Sequence, residues 1–377
     1  MNDVQAVILA AGEGTRLRPL TKNRPKVMLP VANRPILEHV LNSVVAAGIR
    51  DITVVVGYKK EQVIKFLSTY PVPVQVVVQE KQLGTAHALS QAKGLIHTKT
   101  LVLFGDNYVD PESLRMIMDK ENAILVAPHP SPSKFGVISG NDGILTEIVE
   151  KPKDIVPGAL VSCGVCVFSP DVIRDIHERD LPDMLQKLIL SGMKFPIVRA
   201  KDWQDAVYLR DLLQINKQLL KQMKPRTSGV IDKTVTIRGH VSIGNNTTIG
   251  PGTVISGPVV IGENCTIGPN VCIGPDVSIG LWVTIEPFTY LKNSIIMNTC
   301  DIGSHSRVVD TIMGEGCKCR NNLAAGSTKV GEIGAVLGDR VTVGPFTVVT
   351  GGIIGNNAVV EGGKIIDKII PDNALVI

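Results

Sequence analysis

Apolar and polar positions follow two different rules along this 377-residue chain. In the first half, short apolar runs alternate with stretches of helical periodicity. Val7-Ile8-Leu9 reads as a buried strand and 10–14 as a small-residue loop. Residues 36–47 read as a helix ended by Gly48, 51–56 as a buried strand, 60–70 as a helix and 74–78 as another strand. A helix over 85–93 and a strand over 100–104 continue the alternation. Such alternation predicts α/β architecture with a mostly parallel sheet. Ligands of such sheets sit beyond the carboxyl ends of the strands, where Gly12, Gln79 and Asp106 emerge.

From Ile231 the rule changes. Positions 231, 237, 243, 249, 255, 261, 267, 273, 279 and 285 are all Ile, and 291 and 297 continue the series as Leu and Met. A strict period of six predicts a parallel β-helix in which each short strand sends one aliphatic side chain into a stacked core. The period slips at Ile302-Gly303 and near Met313-Gly314, then resumes at Leu337, Val343, Val349, Ile354 and Val360. A helix over 211–223 and a linker over 224–229 separate the halves, giving domains 1–228 and 229–377.

Composition narrows the partners. Lys plus Arg is 39 against 35 for Asp plus Glu, a net +4 spread along the chain, which does not point to nucleic acid. No apolar run approaches the ~18 residues of a membrane span, and the first residues lack a secretory signal, so a cytoplasmic protein is expected. The seven cysteines do not form a disulfide framework. Cys163 and Cys166 have C-x-x-C spacing but lie in the apolar run 160–168, where a strand points them to opposite faces; they and the Cys317/Cys319 pair read as buried strand residues.

The densest chemistry lies in 9–30. Backbone N–H groups of 10–14 can wrap an anion, Arg16 and Lys26 add positive charge, and Pro19, Pro25 and Pro30 stiffen the path between them. Together they predict polyphosphate as ligand. The third glycine of G-x-G-x-x-G would fall at Leu17 and no G-K-[ST] follows, so neither a dinucleotide fingerprint nor a P-loop is supported. The stretch instead resembles the sugar-1-phosphate nucleotidyltransferase family, whose G-x-G-T-R-[LM]-x-P and P-K-x-[LM] it meets residue by residue.

That resemblance implies a Rossmann-like nucleotidyltransferase sheet that binds a nucleoside triphosphate through Leu9, Ala10, Ala11, Gly12, Gly14 and Thr15, with Arg16 and Lys26 as catalytic charges. It implies Mg²⁺ held by Asp106 of Gly-Asp-Asn and by Asp205, where relatives carry Asp-x-Gly and this chain has Asp205-Ala206-Val207. Gln79, Gln82, Gly84 and Thr85 match the base-recognition segment and imply UTP or dTTP, although Gly84-Thr85 can equally start the following helix. Gly136, Glu150, Lys151 and Ser162 match the sugar-phosphate positions, Ser162-Cys163-Gly164 standing where relatives have Asn-x-Gly. The sugar-1-phosphate implied is that of glucose or N-acetylglucosamine.

The second half resembles the left-handed β-helix of hexapeptide acyltransferases, which implies a homotrimer or a multiple of it. In bifunctional relatives this domain transfers acetyl from acetyl-CoA to a hexosamine-1-phosphate. His305 matches their base, and 322–326, with Asn322 and Ala325, matches their Asn-[LF]-Gly-Ala-Gly. Val308 replaces an aromatic, and 327–331 passes quickly where relatives insert a basic loop, so a β-helix that only trimerises the chain stands beside the catalytic reading. A regulatory scaffold built from the same two domains is the non-enzymatic alternative.

Overall fold

Apolar runs buried on both faces become the central strands in the computed structural model, which describes residues 4–153, 158–327 and 332–377. Strands β1 (Val4–Ala10), β2 (Ile52–Val56), β3 (Gln75–Val78) and β4 (Lys99–Phe104) are mutually parallel in the order β4-β1-β2-β3. Val7, Ile8, Val54, Val55 and Leu101 have no exposed surface, as strands covered by helices on both sides require. Helices α1 (Ile36–Ala47), α2 (Lys60–Leu67) and α3 (Thr85–Gln91) fall where the periodicity places them.

The sheet is mixed rather than mostly parallel. Strands β5 (Asn107–Val109) and β6 (Ala123–Pro128), the latter after helix α4 (Pro111–Met118), precede β7 (Gly136–Asn141), β8 (Ile144–Glu150) and β9 (Leu160–Phe168). Strand β9 pairs antiparallel with β4, β6 and β7. The reason is local: Asp142 and Gly143, at φ 49° and 74°, form a two-residue turn joining β7 and β8, and such a hairpin returns the chain antiparallel. Cys163 and Cys166 of β9 are buried, and burial pushes the Cys166 thiol up to about 12 and the Cys163 thiol well above its ordinary value. Both are structural.

Among the described residues the β-helix has three parallel sheets of nine, nine and eight short strands. Ile243, Ile249, Ile255, Ile261, Ile267, Ile273, Ile279, Ile285 and Leu291 form one buried column system. Each contributes on the order of 1.5–3 kcal/mol by leaving water. The sequence ladder fails at two of its rungs. Ile237 is 39% exposed. At the other, Ile279 pairs with Ile296 where Ile261 pairs with Ile279, so the coil is one residue shorter and Ile296, not Met297, points into the core. The resumed positions Leu337, Val343, Val349, Ile354 and Val360 are all in that core. Cys265, Cys300 and Cys317 point their thiols at the carbonyls of Gly280, Gly314 and Gly338, each at 3.1 Å, much as Thr247 Oγ1 donates to Gly262 O at 2.7 Å. The expected short passage over 327–331 lies mostly outside the described residues.

Two compact units result. The first comprises Met1–Glu13, Arg24–Met28 and Ile36–Asp205, and the second Gly14–Asn23, Leu29–Pro35 and Ala206–Ile377. Helix α5 (Leu209–Gln222) therefore groups with the β-helix, whereas its place in the sequence put it with the first domain. Asn216 explains this: fully buried, it accepts from Ala32 N at 2.8 Å and from Ser278 Oγ, and donates to Asp276 O at 3.3 Å.

Candidate active site

Beyond the carboxyl ends of β1 and β4 the two backbones converge, Gly105 N donating to Leu9 O at 2.8 Å. A Cβ on Gly105 would lie 3.0 Å from Ala10 Cβ and 3.2 Å from Val27 Cγ1, so glycine lets the chain pass beneath the Lys26–Met28 turn. Asp106 follows directly. Strand β5 then pairs antiparallel with a strand, Trp203–Asp205, that sets Asp205 opposite Asn107. One residue fixes that register: Asp110 donates its N–H to Asp202 O at 3.2 Å and accepts Asp202 N at 3.0 Å, while capping α4 through Glu112 N and Ser113 N. Burial acts to raise the Asp110 carboxyl, but the bonds from Ser113, Asp202 and Glu112 outweigh it and hold it below the usual range.

Through this arrangement residues 26, 106 and 205, scattered in sequence, meet. Lys26 Nζ forms an ion pair with Asp106 Oδ2 and stands 3.8 Å from Asp205 Oδ1. The three side chains are only 15%, 22% and 15% exposed. A cation thus already sits between two hard carboxylate oxygens. Among the described residues no group of three or more His, Cys, Asp or Glu is gathered for a metal. A two-carboxylate set fits Mg²⁺, which keeps several waters and takes remaining ligands from phosphate, better than an ion needing an all-protein cage.

Asn107 and Trp203 were not singled out in the sequence, and both are anchored here. Asn107 Nδ2 donates to Cys163 O at 2.8 Å, while its Oδ1 and Trp203 Nε1 are buried with no hydrogen-bond partner among the described residues. Gly164, at φ 67°, makes room for Asn107: a Cβ there would lie 2.4 Å from Phe104 Cδ2 and 2.9 Å from Asn107 Nδ2. The Trp203 ring packs edge-on against Phe135 at 5.4 Å, the residue before Gly136.

The other expected positions divide. Leu9, Ala10 and Ala11 are buried, and Ala11 O accepts from Tyr58 N at 3.0 Å; Gly12 is exposed with open space where a Cβ would stand. Gly14 takes φ 71° at the start of the Thr15–Leu17 turn; Thr15 and Arg16 are exposed, and all three belong to the second unit. Gln79 is 2% exposed, and its amide is engaged with Gly84 O at 3.0 Å and His87 Nδ1 at 2.9 Å, so it shapes the 79–87 turn from beneath. Gln82 Nε2 donates to Gln79 O at 3.1 Å. Thr85 starts α3, held by Asp180 Oδ1 at 3.0 Å from its N–H. Gly136 faces Glu150 across the β7–β8 ladder, Glu150 pairs with Lys151, and Ser162 Oγ accepts from Gly164 N at 3.1 Å.

In the β-helix, His305 stands exposed on a corner at φ 57°, its ring stacked on Phe288 at 5.0 Å and 29°. Asn322 follows on the next coil, its N–H donating to Ser304 O at 2.9 Å. Ala325 is different: its side chain is 1% exposed within the coil core, so only its backbone can face a ligand.

Known proteins are similar to this chain in sequence. A family model described as nucleotidyl transferase matches residues 5–222, and one described as GMPPB C-terminal domain matches 255–370. The "bifunctional protein GlmU" of Methanococcus maripaludis strain C7 is 37% identical, over 99% of this chain and 97% of its own length. Its Methanocaldococcus jannaschii counterpart is 32% identical over the same shares. The "UTP–glucose-1-phosphate uridylyltransferase AglF" of Haloferax volcanii is 33% identical over 59% of this chain and all of its own length.

Proposed function

The chain belongs to the nucleotidyl transferase family and is a sugar-1-phosphate nucleotidyltransferase of the GlmU type, and from that premise we propose that it moves the nucleotidyl group of UTP or dTTP onto glucose-1-phosphate or N-acetylglucosamine-1-phosphate, with Mg²⁺. The observation that carries this is Lys26 set between Asp106 and Asp205. When bound there, Mg²⁺ supplies charge neutralisation at the phosphates. A phosphate oxygen of the sugar attacks the α-phosphorus in line, the new P–O bond forming as the bond to the β-phosphate oxygen breaks and pyrophosphate leaves. Lys26, exchanging Asp106 for phosphate oxygens, neutralises the developing α-phosphoryl charge; the amides of the glycine loop, and Arg16 by its place in the motif, meet the triphosphate. The nucleophile is already anionic and needs no general base, in keeping with the lack of histidine in these motifs.

The catalytic domain in this reading spans 1–228 and the β-helix 229–377. Pyrophosphate release measured across UTP, dTTP, ATP, CTP and GTP, each paired with several sugar-1-phosphates, tests the first. Turnover confined to UTP or dTTP is expected, and no release with any pair would return the scaffold reading. The β-helix has three parallel sheets, an arrangement suited to packing around a threefold axis, so a trimer or a multiple of it is expected. Light scattering giving the 40.4 kDa of one chain would overturn that.

The exposed, Phe288-stacked His305 favours a second reaction at the β-helix, acetyl transfer from acetyl-CoA to a hexosamine-1-phosphate amine. In it the amine nitrogen attacks the thioester carbonyl, the new C–N bond forming as the C–S bond breaks, and His305 takes the amine proton and passes it to the departing thiolate, so that coenzyme A leaves as the thiol.

A further inference from the structure

Within the second unit, the stretch Gly14–Asn23 is held by one corner of three successive β-helix coils. Asn23 Nδ2 donates to Asp339 Oδ2 at 2.9 Å, Asn356 Nδ2 donates to Pro19 O at 3.1 Å, and Lys22 forms an ion pair with Asp372. The three coil residues also hold one another. Asn356 N donates to Asp372 Oδ1 at 2.8 Å, Asp339 N to Asn356 Oδ1 at 2.7 Å, and Glu315 N to Asp339 Oδ1 at 2.9 Å. Each side chain therefore spends one polar atom on the column and another on 14–23. Asp339 and Asn356 are 2% and 3% exposed, so their orientation is fixed by burial as well as by bonding.

The second stretch of the loop is held in the same unit. Asn33 Nδ2 donates to Ile279 O at 2.5 Å and Ala32 N to Asn216 Oδ1 at 2.8 Å, across a turn whose two residues take φ 47° and 59°. Such backbone persists only where its surroundings over-determine it. Both segments lie in the second unit, and the first of them carries Gly14, Thr15 and Arg16.

We infer that Asp339, Asn356 and Asp372 are positioning residues for nucleotidyl transfer, the β-helix coils acting as the rigid mount of the stretch 14–23 that carries Arg16. The inference rests on the proposed role of Arg16. The physical gain is preorganisation: a loop already fixed loses less freedom when it closes on a polyphosphate, and its charges need not reorganise as the reaction proceeds.

The test uses the full-length chain. Asn23→Asp sets a carboxylate against that of Asp339, and the exchange Asn23→Asp with Asp339→Asn restores one donor and one acceptor with the original net charge. Asn356→Asp independently keeps the acceptor for Asp339 N while removing the donor to Pro19 O. Pyrophosphate release is followed with varied NTP and varied sugar-1-phosphate, beside thermal unfolding. Asn23→Asp and Asn356→Asp are each expected to raise KM for the NTP about tenfold with little change in KM for the sugar-1-phosphate, and the exchange to return it to within about twofold of wild type. Unchanged KM in both single variants, equal loss for both substrates, or a loss that the exchange does not reverse would overturn the inference alone. No release by the wild type with any substrate pair would overturn the proposed function and this inference with it.

Discussion

Replacing Lys26 with Ala is expected to lower kcat for pyrophosphate release by about 10³-fold or more, because a cation aimed at the developing phosphoryl charge in a sheltered site is typically worth several kcal/mol in the transition state. The side chain is only 15% exposed and faces Asp106 and Asp205, so its loss also leaves two carboxylates without the ammonium that stands between them. Added Mg²⁺ relieves that repulsion but does not restore a positive charge on the phosphoryl oxygens. Lys26→Arg is expected to recover little, since the planar guanidinium cannot reproduce a point charge held at both carboxylates. Steady-state release at saturating substrates, with circular dichroism and thermal unfolding to show an intact fold, checks this. Near wild-type turnover would remove Lys26 from the reaction.

His305→Ala is expected to cut acetyl transfer from acetyl-CoA to glucosamine-1-phosphate by about 10²-fold or more while leaving nucleotidyl transfer unchanged, the usual magnitude of general-base assistance. The ring sits at an exposed corner against Phe288, and the alanine that replaces it leaves the inward columns of Ile302 and Val308 untouched. Release of the coenzyme A thiol, measured with and without the amino sugar, provides the readout. A wild type without acetyl-CoA turnover would leave the β-helix as an assembly domain; turnover surviving His305→Ala would keep the reaction and discard this base.

Much of the architecture was legible because it is written locally. Continuous apolar runs place β1 and β2, and 3.6-residue periodicity places α1 and α2, from neighbours a few residues apart, and the six-residue period of isoleucines announces the β-helix before any contact is known. The misreadings arise where a single residue changes a path. The Asp142-Gly143 turn makes the sheet mixed, and one residue fewer in a corner moves the core rung from Met297 to Ile296. Lys26, Asp106 and Asp205 could be nominated by motif, yet the Asp110–Asp202 bonds that align them carry no motif. Gln79 illustrates the reverse case, a motif position whose amide is turned inward to build the turn. The Asn356 bond to Pro19 spans 337 residues, a separation at which no periodicity signals a contact.

The distribution of thiols has a practical consequence. Of the seven cysteines, six are buried and Cys272 alone is exposed, on the outer side of its strand, where it pairs in register between Val254 and Tyr290. Maleimides react with accessible thiolates; burial hides the Cys163, Cys166, Cys265, Cys317 and Cys319 thiols and raises those of Cys163, Cys166, Cys265 and Cys319, while at Cys317 the hydrogen bond shared with Cys300 is the larger cause of the rise and burial the second. The native chain therefore carries one addressable fluorophore site without any cysteine being engineered. Because each subunit would bear a single dye, counting photobleaching steps in individual particles counts chains.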